Sequence, residues 1–292
     1  MKTVGIIGTG VMGLTVASKV IGNGYKVFGY DNYQAASNKG RSLGLEMVRN
    51  PKDVARNVNI VMLFLPGPDQ VADCVASEEG LLTSLGPGTV IVDMSTIDPG
   101  TTARMAAMAS EKKIGYLDAP ILGRPATVGR WAIPVGGREE DLEICRPLFE
   151  LIAARIFHVG PSGTGHKVKL LNQLMFGAIN AMTAEMMAVA STLGISPRML
   201  YETITSSQAG TISNLFVEIG GRIAKESYED ATFTVDLLVK DLKLAVRMAE
   251  EQHSPPILGK SIELINEIAQ SQGFGSYDTS IMWKSYLKMW NK

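Results

Sequence analysis

The chain has 292 residues, of which 46% are hydrophobic and 20% are charged, and its formal net charge is −1. This composition is typical of a globular protein with one large domain or two moderate ones. A near-neutral charge removes the bulk attraction that favours nucleic acid or an anionic membrane surface, so neither is expected as a partner. No apolar segment is expected to reach the roughly 18 residues that span a bilayer.

Two features favour a cytoplasmic location. The opening stretch MKTVGIIGTG has an apolar run that glycines interrupt, and no small-residue cleavage site follows, so it is not expected to be a signal peptide. Cys74 and Cys145 lie far apart, show no metal-ligand spacing and fall in apolar, helix-like segments. They are therefore predicted to be buried thiols in a reducing compartment, and no metal site is predicted.

Short apolar runs alternate with amphipathic stretches in the first half of the chain. Near-continuous apolar strands separated by helices are typical of a parallel sheet that is covered on both faces. The predicted strands are 3–8, 26–31, 59–66, 89–95 and 115–120, with helices at 11–22, 34–43 and 99–113. Residues 132–136 and 155–159 are predicted to add edge strands around a helix at 138–153.

The pattern becomes helical after the stretch GPSGTG. The predicted helical runs are 165–193, 196–207, 210–224, 235–252, 255–271 and 278–290, with no convincing strand among them. The predicted fold is an α/β Rossmann-type N-terminal domain, residues 1–162, and an all-α C-terminal domain, residues 163–292. The long helix is expected to link the two.

The stretch GIIGTGVMG predicts a dinucleotide site, because its glycines end a predicted strand and open a predicted helix. Gly8 allows the tight turn, Gly10 lets the backbone approach a pyrophosphate, and Gly13 permits close packing of helix on strand. The free N–H groups at the start of the helix, at Val11 and Met12, are expected to bind the phosphates.

Asp31 ends the second predicted strand, 18 residues after Gly13. A carboxylate there can accept hydrogen bonds from both ribose hydroxyls and would repel a 2′-phosphate. No arginine follows directly, so NAD is favoured as the cofactor, with NADP as the alternative. The alternative that Asp31 only ends the strand and binds no ligand remains open.

Two further loops follow predicted strands at the sheet edge where ligands bind in this architecture. The stretch FLPGPDQV offers Leu65 and Pro66 as residues lying along the cofactor, and DMSTIDPG offers the hydroxyls of Ser95 and Thr96. Asp98 is predicted instead to cap the next helix, with a proline at its first position.

Three residues at the start of the long helix are candidates for proton transfer: His166, Lys167 and Lys169. At about 100° per residue, Lys169 and Asn172 lie roughly 60° apart on one face, with Gln173 beside them, whereas Lys167 faces elsewhere. A lysine ammonium can protonate a carbonyl oxygen during its reduction. From spacing alone, the alternative that Lys169 is a solvated helix residue remains open. His166 is expected to be exposed or structural.

Together these motifs resemble the β-hydroxyacid dehydrogenases, which include 3-hydroxyisobutyrate dehydrogenase and tartronate semialdehyde reductase. The resemblance covers essentially the whole chain and adds YLDAP, VKDLKLAVRMAEEQ and GFGSYDTS in family order. It implies a cleft between the two domains and reversible hydride transfer between NAD(P) and a small 3-hydroxy acid or its semialdehyde. It also implies a homodimer or homotetramer that pairs through the helical domains.

The resemblance assigns roles by position. Lys169 matches the catalytic lysine, and Asn172 matches an asparagine that helps to hold the substrate. Gln173 stands where many members have a second asparagine. Thr96 matches a contact on the nicotinamide side, and Lys240 matches a lysine that reaches the cofactor.

The loop after YLDAP departs from the family. Typical members have Ser-Gly-Gly there, whereas this chain has Leu122, Gly123 and Arg124. The leucine removes a hydroxyl, and the guanidinium suits a carboxylate, sulfonate or phosphonate. The sulfolactaldehyde reductase branch also carries Gly-Arg here, so the resemblance implies a small anionic substrate that is not the standard one, with a sulfonate as one option. The alternative that Arg124 points to solvent remains open.

Three other functions are compatible with parts of this pattern. An imine reductase shares the architecture, but those enzymes usually lack a lysine at the position of Lys169. A 6-phosphogluconate dehydrogenase would have a much larger helical domain. A dinucleotide-binding protein without catalysis is disfavoured by the pair of Lys169 and Asn172.

Overall fold

The computed structural model describes residues 2–56, 58–206 and 213–291. The chain forms two compact units, Met1–Lys169 and Leu170–Lys292. The first unit contains a sheet with helices, and the second is helical in the part that the structure describes. The α/β Rossmann-type and all-α classes predicted from the pattern are therefore observed.

The first unit contains one eight-stranded sheet in the order β3-β2-β1-β4-β5-β6-β7-β8. Its strands are β1 Thr3–Ile7, β2 Lys26–Tyr30, β3 Glu46–Met47, β4 Ile60–Leu63, β5 Val90–Asp93, β6 Gly115–Asp118, β7 Trp131–Gly136 and β8 Ala153–Gly160. All neighbouring pairs are parallel except β6 and β7. The chain runs outward from β1 in both directions, and such a reversal point is where open α/β sheets bind ligands.

In the described part of this unit the sheet is accompanied by the α-helices α1 Val11–Ile21, α2 Gln34–Leu43, α3 Pro51–Ala55, α4 Pro68–Ala76, α5 Pro99–Glu111 and α6 Glu139–Ile152. Alternate residues of one strand enter different apolar clusters, since Val90 and Val92 belong to one and Ile91 to the other. Both faces of the sheet are therefore covered, which explains why its strands are near-continuous apolar runs.

The predicted strands are all present, with two corrections. The strand predicted at 132–136 is not an edge strand, because β7 lies between β6 and β8. The sequence analysis also missed β3, which has only two residues, and the short helices α3 and α4. Elements this short contain too little of a periodic pattern to be recognised.

The start of α5 agrees with the prediction. The Asp98 side chain accepts a hydrogen bond of 2.8 Å from the backbone N–H of Thr101, and Pro99 occupies the first helical position. This capping satisfies one of the N–H groups that a helix end leaves without a partner. Both cysteines are free and buried, as predicted.

The helices of the second half are α7 Thr164–Thr192, α8 Pro197–Ser206, α9 Asn214–Ala224, α10 Val235–Glu251, α11 Ile257–Ala269 and α12 Met282–Met289. Each corresponds to a predicted helical run, although residues 207 and 210–212 of those runs lie outside the described residues. The main core of the second unit brings together side chains of several helices, including Met187, Ile219 and Val239.

One expectation about apolar segments is wrong. The helix α7 has 29 residues, and an 18-residue window in it reaches a mean hydropathy of 1.3, which suffices by length and composition to cross a membrane. Of that window, 44% is buried inside the protein. The core helix of a soluble protein passes the same test, so this finding alone is weak evidence for a membrane span.

Candidate active site

The glycine-rich turn between β1 and α1 has the shape that its sequence predicts. Gly8 has φ +89°, and a Cβ atom there would lie 2.2 Å from the carbonyl oxygen of Phe64. A Cβ on Gly13 would lie 1.9 Å from the carbonyl oxygen of Gly8. Both positions therefore require glycine because the backbone or the neighbouring chain leaves no room for a side chain.

Gly10 differs from these two glycines, because a Cβ atom there would meet nothing within 4 Å. It is the N-cap of α1, which has no side-chain cap and no acidic residue in its first turn. Val11 at the helix start is exposed and Met12 is half-buried. Open space in front of uncapped, partly positive N–H groups fits the pyrophosphate of a dinucleotide.

Asp31, one residue beyond β2, is bonded to this turn. Its Oδ2 accepts hydrogen bonds from the backbone N–H of Thr9 at 2.7 Å and from the Thr9 hydroxyl at 3.3 Å. Its Oδ1 accepts from the backbone N–H of Tyr33 at 2.8 Å. Asp31 thus has a structural role in holding the turn, and its Oδ1, which accepts only one of these bonds, has lone-pair capacity left for a ribose hydroxyl.

The loops after β4 and β5 are joined by one hydrogen bond. The Ser95 Oγ accepts from the backbone N–H of Leu65 at 2.9 Å, and Ser95 is buried. A hydroxyl has one proton and two lone pairs, so this bond leaves the Ser95 proton and one lone pair available. Thr96 and Leu65 are half-buried, and Pro66 is exposed.

A buried polar cluster that the sequence pattern did not predict lies among the residues that follow β5 and β6. The Asp118 carboxylate accepts from the backbone N–H groups of Gly163 at 2.7 Å and His166 at 2.9 Å. The His166 ring reaches Thr102 Oγ1 at 2.7 Å and the Ser95 carbonyl at 3.1 Å. Of the two alternatives for His166, exposure is wrong, because the side chain is completely buried.

The pKa of the Asp118 carboxyl is raised above its ordinary value. Burial is the largest cause, and it outweighs the lowering effect of His166 and the two backbone N–H groups, while Asp93 raises the pKa further. Asp93 pairs with Asp118 across neighbouring strands and accepts a hydrogen bond of 2.9 Å from the Tyr116 hydroxyl. The only signal in the sequence was an aspartate at the carboxyl end of each of two apolar strands.

Lys169 lies in the second turn of α7 and is half-buried. Its Nζ donates a hydrogen bond of 2.8 Å to the carbonyl oxygen of Ile121. Lys167 is exposed, in agreement with its predicted orientation away from Lys169. The ammonium group of Lys169 is therefore held against the first residue of the loop that departs from the family pattern.

That loop, residues 121–124, is tied to β7. Leu122 pairs with Ala132 through backbone hydrogen bonds in both directions. The indole N–H of the buried Trp131 donates to the Arg124 carbonyl at 2.8 Å. A Cβ on Gly123 would lie 2.0 Å from the Trp131 ring, so glycine is required there. These contacts fix the backbone of the loop at Arg124, and Arg124 itself is half-buried.

The remaining predicted residues belong to the helical unit. Asn172 is exposed, and its amide donates to Gln173 at 3.3 Å. Gln173 is buried and donates to Asp241 Oδ2 at 2.6 Å, while Lys240 Nζ lies 2.8 Å from Asp241 Oδ1. Asp241, which the sequence analysis did not select, is the residue that joins Gln173 and Lys240.

Two family models together match almost the entire chain. Residues 3–160 match the NAD binding domain of 6-phosphogluconate dehydrogenase. Residues 163–286 match a family described as NAD-binding of NADP-dependent 3-hydroxyisobutyrate dehydrogenase.

Individual proteins are similar over the same length. The NAD-dependent L-serine dehydrogenase of Pseudomonas aeruginosa is 30% identical over 98% of both chains. The 2-(hydroxymethyl)glutarate dehydrogenase of Eubacterium barkeri is 31% identical over 98% of this chain and 95% of its own. The crystal structure of 3-hydroxyisobutyrate dehydrogenase from Salmonella typhimurium has a TM-score of 0.89 at 25% identity, and covers 97% of this chain and 99% of its own. The chain therefore belongs to the β-hydroxyacid dehydrogenase family and is an NAD(P)-dependent oxidoreductase.

Proposed function

We propose that this protein interconverts a small anionic 3-hydroxy acid and its semialdehyde, with Lys169 as the general acid and base. The observation that carries the proposal is the 2.8 Å hydrogen bond from Lys169 Nζ to the Ile121 carbonyl. It holds an ammonium group on the loop that presents Arg124. Arg124 follows Ile121 by three positions, so one loop supports both the proton donor Lys169 and the anion-binding residue Arg124.

When bound, the nicotinamide ring supplies or accepts a hydride. In the reductive direction, Lys169 gives a proton to the oxygen of the substrate carbonyl, where negative charge develops. In the oxidative direction, Lys169 takes the proton from the substrate hydroxyl. The Ile121 carbonyl restricts the ammonium group beforehand, so less freedom is lost when the substrate binds. Asn172 and Gln173 are proposed to help hold the substrate, and Ser95 to contact it.

The proposed substrate class is supported by the substrates of similar enzymes and by the loop at residues 121–124. L-serine, 2-(hydroxymethyl)glutarate and 3-hydroxyisobutyrate each carry a hydroxymethyl group on the carbon next to a carboxylate. We propose this class for the present chain, with Arg124 bound to the anionic end. Because Leu122 and Arg124 replace a hydroxyl and a small residue, an acid other than hydroxyisobutyrate is expected, and a sulfonate is one candidate.

The proposed cofactor is NAD, with NADP as the alternative. Asp31 can accept hydrogen bonds from ribose hydroxyls, and its charge opposes a 2′-phosphate. The proposed cofactor contacts are the turn residues Gly8, Gly10, Val11, Met12 and Gly13, together with Asp31, Leu65, Pro66, Thr96 and Lys240. The uncapped start of α1 supports the assignment of the phosphates to this turn.

The test is NADH oxidation with semialdehydes that end in a carboxylate, sulfonate or phosphonate. Removal of a general acid typically costs 10²- to 10⁴-fold, so Lys169→Ala should lower kcat on the order of that range. Lys167→Ala is the matched control, because Lys167 is an exposed lysine on the same helix. Equal kcat in Lys169→Ala and the parent would contradict the role of Lys169.

The same assay discriminates the two alternatives. Turnover of cyclic imines without turnover of any semialdehyde would favour an imine reductase. NADH binding without turnover of either class would favour a dinucleotide-binding protein without catalysis.

We further propose a homodimer or homotetramer in the cytoplasm. The exposed apolar residues Leu171, Met175, Met182 and Met186 recur within about 60° on one face of α7, which supports self-association through this helix. The two free cysteines support a reducing compartment.

A further inference from the structure

His166 lies one turn before Lys169 on α7 and is fully buried, yet both nitrogens of its ring have polar partners. Nε2 lies 3.1 Å from the Ser95 carbonyl, and Nδ1 lies 2.7 Å from the Thr102 hydroxyl. A buried imidazole with two partners on other elements connects those elements. Here it connects the start of α7 to the loop after β5 and to the first turn of α5.

The partners determine which ring nitrogen carries the proton. The Ser95 carbonyl can only accept, so Nε2 must donate. The Thr102 hydroxyl has one proton and two possible acceptors, His166 Nδ1 at 2.7 Å and the Asp98 carbonyl at 3.2 Å. The Ser95 bond therefore places a proton on Nε2, while Nδ1 faces the Thr102 hydroxyl at 2.7 Å and the Asp118 carboxylate at 4.0 Å.

Ser95 also connects His166 to the loop after β4. The Ser95 Oγ accepts from the Leu65 N–H, so the His166 ring joins α7 to the loop after β4 as well. Asp118 separately holds the backbone N–H of His166, which fixes where the helix begins. The bonds of the His166 ring to Ser95 and Thr102 lie across the axis of α7. They lie one turn before Lys169, so they limit rotation of the helix segment that carries it.

We propose that His166 is a positioning residue for the reaction, which sets Lys169 against the segment Ser95–Thr96 through the Nε2–H bond to the Ser95 carbonyl. The proposal rests on the proposed role of Lys169 as proton donor. His166 itself touches neither substrate nor cofactor, because it is completely enclosed by protein. Its effect on the rate comes from geometry, since a misplacement of about 1 Å can cost on the order of 100-fold.

The test compares His166→Gln with His166→Asn. The amide nitrogen of Gln lies the same number of bonds from Cα as Nε2, so it can donate to the Ser95 carbonyl. The amide oxygen of Asn matches Nδ1 instead, so it keeps only the link to Thr102. We expect kcat within about 3-fold of the parent for Gln and a loss on the order of 10- to 100-fold for Asn.

Thermal unfolding and NADH binding by fluorescence distinguish positioning from a merely structural role. Both variants lose one buried hydrogen bond, so their unfolding midpoints should fall by similar amounts. Parallel losses of midpoint with equal kcat in the two variants would overturn the proposal. Parent-like rates in His166→Asn together with an inactive Lys169→Ala would overturn it while leaving the proposed function intact. A parent-like rate in Lys169→Ala would overturn both.

A measurement on the unchanged protein applies even where a variant does not fold. Nitrogen NMR of isotope-labelled histidine reports which ring nitrogen carries the proton. We expect a proton on Nε2 of His166, assigned against the spectra of variants at His158 and His253. An Nδ1–H tautomer would overturn the proposal, because the bond to Ser95 requires a proton on Nε2.

Discussion

The Nζ atom of Lys169 lies 2.8 Å from the carbonyl oxygen of Ile121, 48 residues earlier in the chain. The bond joins the second turn of α7 to the loop after β6. Two residues further along this loop, Gly123 packs against Trp131, and Arg124 follows. The proposed proton donor and the proposed anion-binding residue therefore share one supporting loop. Substitutions in this loop should affect substrate binding more than they affect the stability of the fold.

Arg124→Ala should raise the KM for the anionic substrate and leave the KM for NADH nearly unchanged. A hydrogen bond to a charged group contributes about 1.5–3 kcal/mol, which corresponds to a rise in KM of roughly 10- to 100-fold. Steady-state kinetics of both substrates measure this difference. Arg130→Ala, an exposed arginine in the same segment, is the control and should behave like the parent. An unchanged substrate KM in Arg124→Ala would assign Arg124 to the surface.

Trp131→Phe should loosen the Arg124 loop while keeping most of the core packing. It removes the indole N–H that donates to the Arg124 carbonyl at 2.8 Å. The lost hydrogen bond and the cavity left by the smaller ring should together lower the free energy of unfolding by about 1–3 kcal/mol, and the substrate KM should rise. Denaturant unfolding and kinetics on the same preparation give both values. A loss of stability without any change in KM would mean that the indole bond does not position Arg124.

Asp31→Asn should reduce the preference for NADH over NADPH, because the charge that opposes the 2′-phosphate is removed. The same change weakens the bonds from Asp31 to Thr9 and Tyr33, so a lower unfolding midpoint is also expected. The ratio of kcat/KM for the two cofactors is the measurement. A parent enzyme that uses NADPH at least as well as NADH would refute this interpretation of Asp31.

The two thiols should be unreactive in the native protein. Burial raises the pKa of both Cys74 and Cys145 well above its ordinary value, and the reactive species is the thiolate. A colorimetric thiol reagent at pH 8 should therefore label neither cysteine quickly in the native state and both after denaturation. Rapid labelling of either one in the native protein would show that its burial is wrong.

Met182→Glu should weaken self-association if α7 forms the subunit interface. Met182 is 59% exposed, and a charge on an apolar contact face carries a desolvation cost. Met199→Glu is the matched control, because Met199 is 58% exposed on α8. Sedimentation velocity should show dissociation at a higher concentration for Met182→Glu than for the control. A monomeric parent protein would remove the proposal of an oligomer.

The sequence by itself was sufficient for the longer elements that depend on neighbours along the chain, but not for β3, α3 and α4. Apolar runs and helical periodicity predict the parallel sheet and the helices α7 to α12 of the second half, since side-chain direction follows from local backbone geometry. The glycine spacing predicts the turn before α1, and Asp98 with Pro99 predicts the start of α5. The phase of α7 likewise distinguishes Lys169 from Lys167.

Features that depend on partners distant in sequence were decided by the tertiary structure alone. The His166 ring bonds to Thr102 and Ser95, 64 and 71 residues earlier, and Gln173 bonds to Asp241, 68 residues later. These residues look like ordinary loop or helix positions in the sequence. They meet because the carboxyl ends of parallel strands converge at one edge of the sheet, and because packed helices bury polar groups that must then find partners.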